Sequence, residues 1–247
     1  MTNAAILLAA GRGTRMRSLV DDKILAPLAG EPVFAHSVRA FLLSGVVDGL
    51  VVVFRDEEQR VELSRILAGL HADAVTVLWV QGGEERRDSV YHGLLALPAT
   101  VQLVFIHDCA RPLIKPAWLH LLATAAKRTG AVSLAHPVTD TIKESAATAN
   151  TASGETACGP WHNLDRTRLW ALETPQVFTR TAILEAYELA RKSGVAITDD
   201  TSAITLAGYP LELLHTPGPN LKLTQPADFI LAEALIRNEA GLIQPSP

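Results

Sequence analysis

Short apolar runs bounded by turn residues alternate along the chain with longer stretches in which apolar positions recur every three or four residues. The runs at Ala4 to Leu8, Gly49 to Phe54, Val75 to Val80, Leu103 to His107, Ala131 to Pro137 and Leu211 to Thr216 read as strands. Several are too apolar to face water on either side, which places them inside a covered sheet. The longer period predicts helices at Val33 to Ser44, Glu57 to Leu70, Asp88 to Ala96, Pro116 to Thr129, Thr181 to Ser193, Asp199 to Ala207 and Pro226 to Asn238. Two of these open on proline, whose missing N–H costs nothing in a first helical turn. The alternation predicts an α/β fold: a mostly parallel central sheet with helices on both faces.

One segment breaks the rhythm. Thr139 to Trp170 is rich in Ala, Thr, Asn and Gly and has almost nothing large to bury before Trp161, so it cannot build its own core. It reads either as a long surface loop or as an extended arm that packs on a second subunit. The expected organisation is a single domain over residues 1–238, with 139–170 as a protruding arm and 239–247 as a C-terminal tail; the few residues after 238 leave no room for a fused second enzyme.

Composition narrows the function classes. The 247 residues are 48% hydrophobic with a formal net charge of −4, and no basic run tracks a phosphate backbone, so binding to nucleic acid is not expected. The two cysteines, Cys109 and Cys158, have no CxxC spacing, which argues against a disulfide framework or a zinc ribbon. With no apolar stretch near the ~20 residues of a membrane helix, a cytoplasmic setting is expected, with no membrane partner.

The first strand runs into Ala9-Ala10-Gly11-Arg12-Gly13-Thr14-Arg15-Met16, a glycine-rich loop at the carboxyl end of a strand, where open α/β sheets bind ligands. Met16 stands where a dinucleotide fingerprint has its third glycine, and no Gly-Lys-Ser/Thr follows, so neither the dinucleotide motif nor a Walker loop is present. What remains is small residues that let backbone N–H groups approach an anion, interleaved with Arg12, Arg15 and Arg17 and followed by Lys23, which suits a triphosphate. The structural alternative is a tight turn with solvated arginines. A second glycine turn, Gly82-Gly83, precedes a helix start that Asp88 or Ser89 could cap. The strand ending at His107 delivers Asp108 and Arg111, either a salt bridge or a substrate-facing pair. Thr198-Asp199-Asp200 reads as a helix N-cap. Nothing in the chain has the pattern of a serine hydrolase elbow or a histidine zinc site.

Taken in order, LAAGRGTRM, GGEERRDSV, HDCARP, PVTDTIK, LDRTRLWALETPQVF, ITDDTSA and NLKLTQPAD resemble the 2-C-methyl-D-erythritol 4-phosphate cytidylyltransferase family over nearly the whole chain. The resemblance implies a Rossmann-like nucleotidyltransferase fold, a homodimer joined through the 139–170 arm, and transfer of the cytidylyl group of CTP to methylerythritol phosphate with Mg²⁺. It implies that Ala9, Ala10, Gly11, Gly13, Gly82, Gly83 and Ser89 surround CTP, and that Arg15 and Lys23 face the triphosphate as catalytic cations. Asp108, Arg111, Thr174 and Thr198 fall on the sugar-phosphate side. Thr141 and Arg166 would reach in from the partner's arm, and Arg166 with Lys222 would hold the acceptor phosphate. One departure stands out: Asp22-Lys23-Ile24-Leu25 replaces the family's usual Pro-Lys-Gln, so Asp21 and Asp22 bring negative charge toward a triphosphate unless they point away or approach the metal. The competing readings are a pentitol-phosphate cytidylyltransferase acting on ribitol 5-phosphate, and an inactive nucleotide-binding paralogue.

Overall fold

A seven-stranded sheet runs through the computed structural model, which describes residues 1–11, 22–145 and 160–239. Gly13 and Arg15, Arg12, Arg17, Asp21, the arm from 146 to 159 with Cys158, and the tail from 240 onward lie outside the described residues. In chain order the elements are β1 (Asn3–Leu8), β2 (Pro27–Leu28), β3 (Glu31–Pro32), α1 (Val33–Ser44), β4 (Gly49–Phe54), α2 (Glu57–Gly69), β5 (Thr76–Gln81), α3 (Arg86–Ala96), β6 (Leu103–Asp108), α4 (Pro116–Thr129) and β7 (Ala131–Pro137). There follow β8 (Lys143–Ser145), β9 (Trp161–Asn163), β10 (Trp170–Thr179), α5 (Arg180–Ser193), α6 (Asp200–Leu206), β11 (Glu212–Leu214) and α7 (Pro226–Glu239).

The large sheet has the order β11-β7-β10-β6-β1-β4-β5. Neighbours pair in parallel except β10, which lies antiparallel between β6 and β7. Side chains alternate across the sheet with the two-residue period of a strand. Ala5, Leu7, Leu50, Val52 and Phe105 meet α1, α2, α4 and α7 on one face. Ala4, Ile6, Val51, Val53 and Ile106 meet α3, α5 and α6 on the other. Both faces being covered explains why β1, β4 and β6 are apolar at nearly every position.

Helix boundaries follow local chemistry. Asp56 caps α2 by accepting from the Gln59 N–H at 2.9 Å. Pro116 opens α4, and Gly130, with φ of 84°, closes it in the left-handed conformation that glycine alone adopts without strain. Truncating a fully buried ring in these cores, such as Phe105, costs about 3–5 kcal/mol.

Three expectations need correction. The α3 helix begins at Arg86 rather than Asp88, and Glu85 is its N-cap, with Asp88 reaching back to the Glu85 N–H from the third helical position. The last strand is three residues, Glu212–Leu214, rather than six. The stretch after the arm, expected to carry no strand, contains the ten-residue β10. Its register with β7 slips between Leu172 and Gln176, around Pro175, because a proline inside a sheet needs an irregularity to accommodate its missing N–H.

Candidate active site

The carboxyl ends of β1, β4, β5 and β6 open on one cavity of about 770 Å³, lined by Ala10, Gly11, Lys23, Arg55, Gly82, Gly83, Glu84, Arg86, Ser89, Asp108 and Lys222 among others. This is the edge of an open parallel sheet where ligands gather, since each strand hands over to a loop there.

One wall is a close meeting of two loops. A Cβ on Gly82 would lie 2.7 Å from the Ala10 Cβ and 2.9 Å from Ser89 Oγ, and one on Gly83 would lie 2.3 Å from the Asp88 Cβ. Only glycine fits at either position. The Gly82 N–H donates to the Phe54 carbonyl at 2.8 Å and the Gly83 N–H to Ser89 Oγ at 3.1 Å, so the turn is fixed before any ligand arrives. Ala9 is buried under this wall, donating its N–H to the Val53 carbonyl at 2.9 Å.

The floor is an alternation of opposite charges. Asp108, the last residue of β6, accepts from Arg86 Nε at 3.1 Å on Oδ1 and from Lys222 Nζ at 2.5 Å on Oδ2. The same Arg86 donates through Nη2 to Asp200 Oδ2 at 2.9 Å. Burial opposes the Asp108 charge, but Arg86 and Lys222 outweigh it and hold the carboxyl well below its usual range. Burial likewise opposes the Arg86 charge, and Asp200 and Asp108 reverse the effect, so Arg86 stays cationic throughout.

Below the floor, Thr174 Oγ1 accepts from the Asp108 N–H at 3.0 Å; Thr174 falls within the irregular stretch of β10. Thr174 also meets His107 Nδ1 at 3.2 Å; complete burial lowers this imidazole to about 3, keeping it neutral. Lys222 sits on a loop held from several sides. Arg111 Nη1 donates to the Asn220 carbonyl at 2.7 Å, Asn220 Nδ2 donates to Glu173 and to the Thr174 carbonyl at 2.8 Å each, and Leu223 is tied at both polar ends, N–H to Ala110 and carbonyl to Lys23 Nζ.

Geometry answers the Asp22 half of the departure; Asp21 lies outside the described residues. Asp22 turns away from the cavity, accepting from Arg55 Nη1 at 2.9 Å and Gln59 Nε2 at 2.6 Å, while its Oδ1 accepts the Ile24 N–H at 2.9 Å. Arg55, which also pairs with Asp56, holds Asp22 in an ion pair, and Lys23 lines the cavity.

Of the residues singled out in the sequence, Ala10, Gly11, Lys23, Gly82, Gly83, Ser89, Asp108 and Lys222 converge on the cavity. Thr174 and Arg111 lie behind it as supports. Thr198 is exposed at the α6 entrance, where its N–H donates to Ser202 Oγ at 3.1 Å and Asp199 is the N-cap. Thr141 and Arg166 are exposed on the arm, with Arg166 Nη1 donating to the Thr139 carbonyl at 2.6 Å. Arg86 was not singled out, although it stands in GGEERRDSV three residues before Ser89, a spacing that puts both on one helix face. Asp200 and Asn220 likewise stand in ITDDTSA and NLKLTQPAD without being singled out for the site, whereas Arg55 stands in no quoted motif.

A family model described as IspD, 2-C-methyl-D-erythritol 4-phosphate cytidylyltransferase, matches residues 3–238. The chain is 39% identical over 236 residues to a curated 2-C-methyl-D-erythritol 4-phosphate cytidylyltransferase of Geobacillus kaustophilus (strain HTA426), covering 96% of this chain and 97% of that one. It is 37% identical over 238 residues to a protein of the same name from Pelotomaculum thermopropionicum, covering 96% and 95%. Among solved structures, that of 2-C-methyl-D-erythritol 4-phosphate cytidylyltransferase from Thermus thermophilus aligns with a TM-score of 0.74 at 26% identity, covering 96% of this chain and all of that one.

Proposed function

The chain belongs to the 2-C-methyl-D-erythritol 4-phosphate cytidylyltransferase family, and from that premise we propose how its cavity carries out the transfer. The reaction moves the cytidylyl group of CTP to 2-C-methyl-D-erythritol 4-phosphate, giving 4-diphosphocytidyl-2-C-methyl-D-erythritol and pyrophosphate in isoprenoid precursor synthesis. A phosphate oxygen of the acceptor attacks the α-phosphorus of CTP in line; the new P–O bond forms as the bond to the β-phosphate oxygen breaks and pyrophosphate departs. No general base is required, because the attacking oxygen is already anionic. The protein must instead bring two mutually repelling anions together and neutralise the charge that grows on the α-phosphate and the leaving group.

The observation that carries this reading is the pairing of a glycine wall with a cationic floor in one cavity. The Ala9–Gly11 and Gly82–Gly83 turns, with Ser89, take the nucleotide through backbone groups at distances no side chain would allow. Lys23, together with Arg15 beyond the described residues, faces the triphosphate. Asp108 and Lys222 take the sugar-phosphate side, with Lys222 holding the acceptor phosphate, and Thr174 and Arg111 keep both in place. Thr198 marks the outer edge of that side.

A divalent cation, Mg²⁺, fits as a companion of the nucleotide. Among the described residues no group of three acidic, histidine or cysteine side chains forms a metal cage. Both oxygens of Asp108 are engaged by cations, so this carboxylate has room for at most one contact to an ion that draws its other oxygens from phosphate and water. When bound, the ion offsets triphosphate charge.

Thr141 and Arg166 complete the acceptor side from the arm of a second copy of the chain. Trp161, Leu164 and Trp170 on this arm, with Leu172 just beyond it on β10, expose large apolar surface that burial against another subunit would remove from water. No helix among the described residues is long and apolar enough to cross a membrane; a cytoplasmic setting, as expected from the sequence, remains part of the proposal.

Pyrophosphate release with CTP and Mg²⁺, run in parallel with methylerythritol 4-phosphate and with ribitol 5-phosphate, tests the acceptor. Turnover with the first alone is expected; turnover only with the second would move the protein to pentitol phosphates, and silence with both would indicate an inactive paralogue.

A further inference from the structure

Behind the cavity the ion pairs continue into the protein core, further than holding a substrate requires. Arg86 uses Nε on Asp108 and Nη2 on Asp200, and its Nη1 has no hydrogen-bond partner among the described residues, while the side chain lines the cavity. Asp200 is fully buried, and its second oxygen accepts from the Tyr187 hydroxyl at 2.5 Å. Tyr187 is itself 2% exposed, on α5, and its ring stacks on Tyr91 of α3, the helix that Arg86 opens. A continuous line of polar contacts therefore runs from Tyr187 through Asp200, Arg86 and Asp108 to Lys222.

Burying a carboxylate and a phenol to pair one arginine is a poor route to stability, since an apolar cluster of the same shape does as well or better. It is a good way to fix a guanidinium. The planar fork of Arg86 is gripped on two edges by two carboxylates belonging to different elements, β6 and α6, so its remaining edge has one orientation.

We propose that Asp200 and Tyr187 are positioning residues for the acceptor: they set Arg86 so that its unpaired edge joins Lys222 in binding the acceptor's phosphate. This rests on the reading of Lys222 given above and adds to it a third cation and two buried residues outside the cavity wall. Asp200 acts through its charge and Tyr187 through one hydrogen bond to that charge. Lysine at position 86 would keep the charge but could not span Asp108 and Asp200 together.

The test is calorimetric binding of methylerythritol 4-phosphate to the CTP-loaded protein with divalent cations chelated so that no turnover occurs, with steady-state constants for both substrates measured with Mg²⁺ and a thermal melt for each variant. Asp200→Asn is expected to weaken the acceptor's affinity about tenfold and Tyr187→Phe about threefold, with the KM for CTP staying within about twofold in each. Arg86→Lys should behave like Arg86→Ala instead of like wild type. A structural role would lower the melting temperature and scale both substrates alike, and that outcome overturns the proposal, as do wild-type constants in Tyr187→Phe. Should Asp200→Asn fail to fold, Tyr187→Phe, which loses a single hydroxyl, decides alone. If wild-type protein binds the acceptor without releasing pyrophosphate, the assigned reaction fails while the affinities still decide the relay; if it does not bind the acceptor at all, the relay fails as well.

Discussion

The floor around Asp108 and the arm that carries Thr141 and Arg166 differ in what each needs from outside the chain. On the floor, Asp108, Arg86, Asp200 and Lys222 are paired with one another, backed by Thr174, and partly or wholly buried. Charge placed this way needs little rearrangement when phosphate charge develops in front of it, which is where electrostatic catalysis draws its strength. On the arm, β8 and β9 form a short exposed hairpin, Arg166 touches a backbone carbonyl, and two tryptophans face solvent. In the proposed dimer, the chain would fold one half of the acceptor site by itself and a second copy would supply the other half.

The largest expected effect of breaking that contrast is on the floor. Lys222→Ala removes a cation from both the acceptor and Asp108, and is expected to lower kcat/KM by about 10²–10³-fold at every protein concentration, in steady-state assays. Trp161→Ser on the arm should act differently. Activity becomes dependent on protein concentration, with sedimentation showing dissociation in the same range, and high concentration restoring most of the loss. Gly82→Ala sharpens the comparison from the nucleotide side: its methyl group collides with Ala10 and Ser89, and the KM for CTP is expected to rise about tenfold with the acceptor's KM nearly unchanged.

The smallest effect is a pH slope in stability. His107, under the floor, has its pKa lowered by burial to about 3 from an ordinary 6.5. Between those values the unfolded chain binds more protons than the folded one, so the stability contributed by the neutral ring is complete above the unfolded value and declines as pH falls. The expected slope is up to about 1.4 kcal/mol per pH unit, visible from about pH 6 to 5, before paired carboxylates begin to titrate. Denaturant melts of His107→Gln should be flatter across that window.

Much of the scaffold was legible before the structure. α1, α4, β4 and β7 begin and end at the residues their patterns predict, because each is a clean apolar period closed by a glycine, a proline or a turn. β10 was not legible. Glu173-Thr174-Pro175 interrupts its apolar period, and a proline argues against an interior strand unless a register slip accommodates it, which only the pairing with β7 reveals. The cavity followed the same division. Gly82, Gly83, Ser89 and Asp108 stand next to strand ends and could be found locally, whereas the Arg86–Asp200 pair joins positions 114 residues apart and has no local signature. Asp22 is the converse case: its charge looked like an obstacle, and its pairing with Arg55 and hydrogen bond from Gln59 could be seen only in three dimensions.

The central claim, that one chain's floor is completed by another chain's arm, is tested most directly by subunit complementation. Chains carrying Lys222→Ala and chains carrying Arg166→Ala, each nearly inactive alone, are unfolded or dissociated together, mixed in equal amounts and reassembled. If Arg166 works in the partner's cavity, half the dimers are mixed and each has one site with both native residues, so activity should return to about a quarter of wild type per site. If Arg166 serves its own chain, every site lacks one residue or the other, and a mixture no more active than its components contradicts the account.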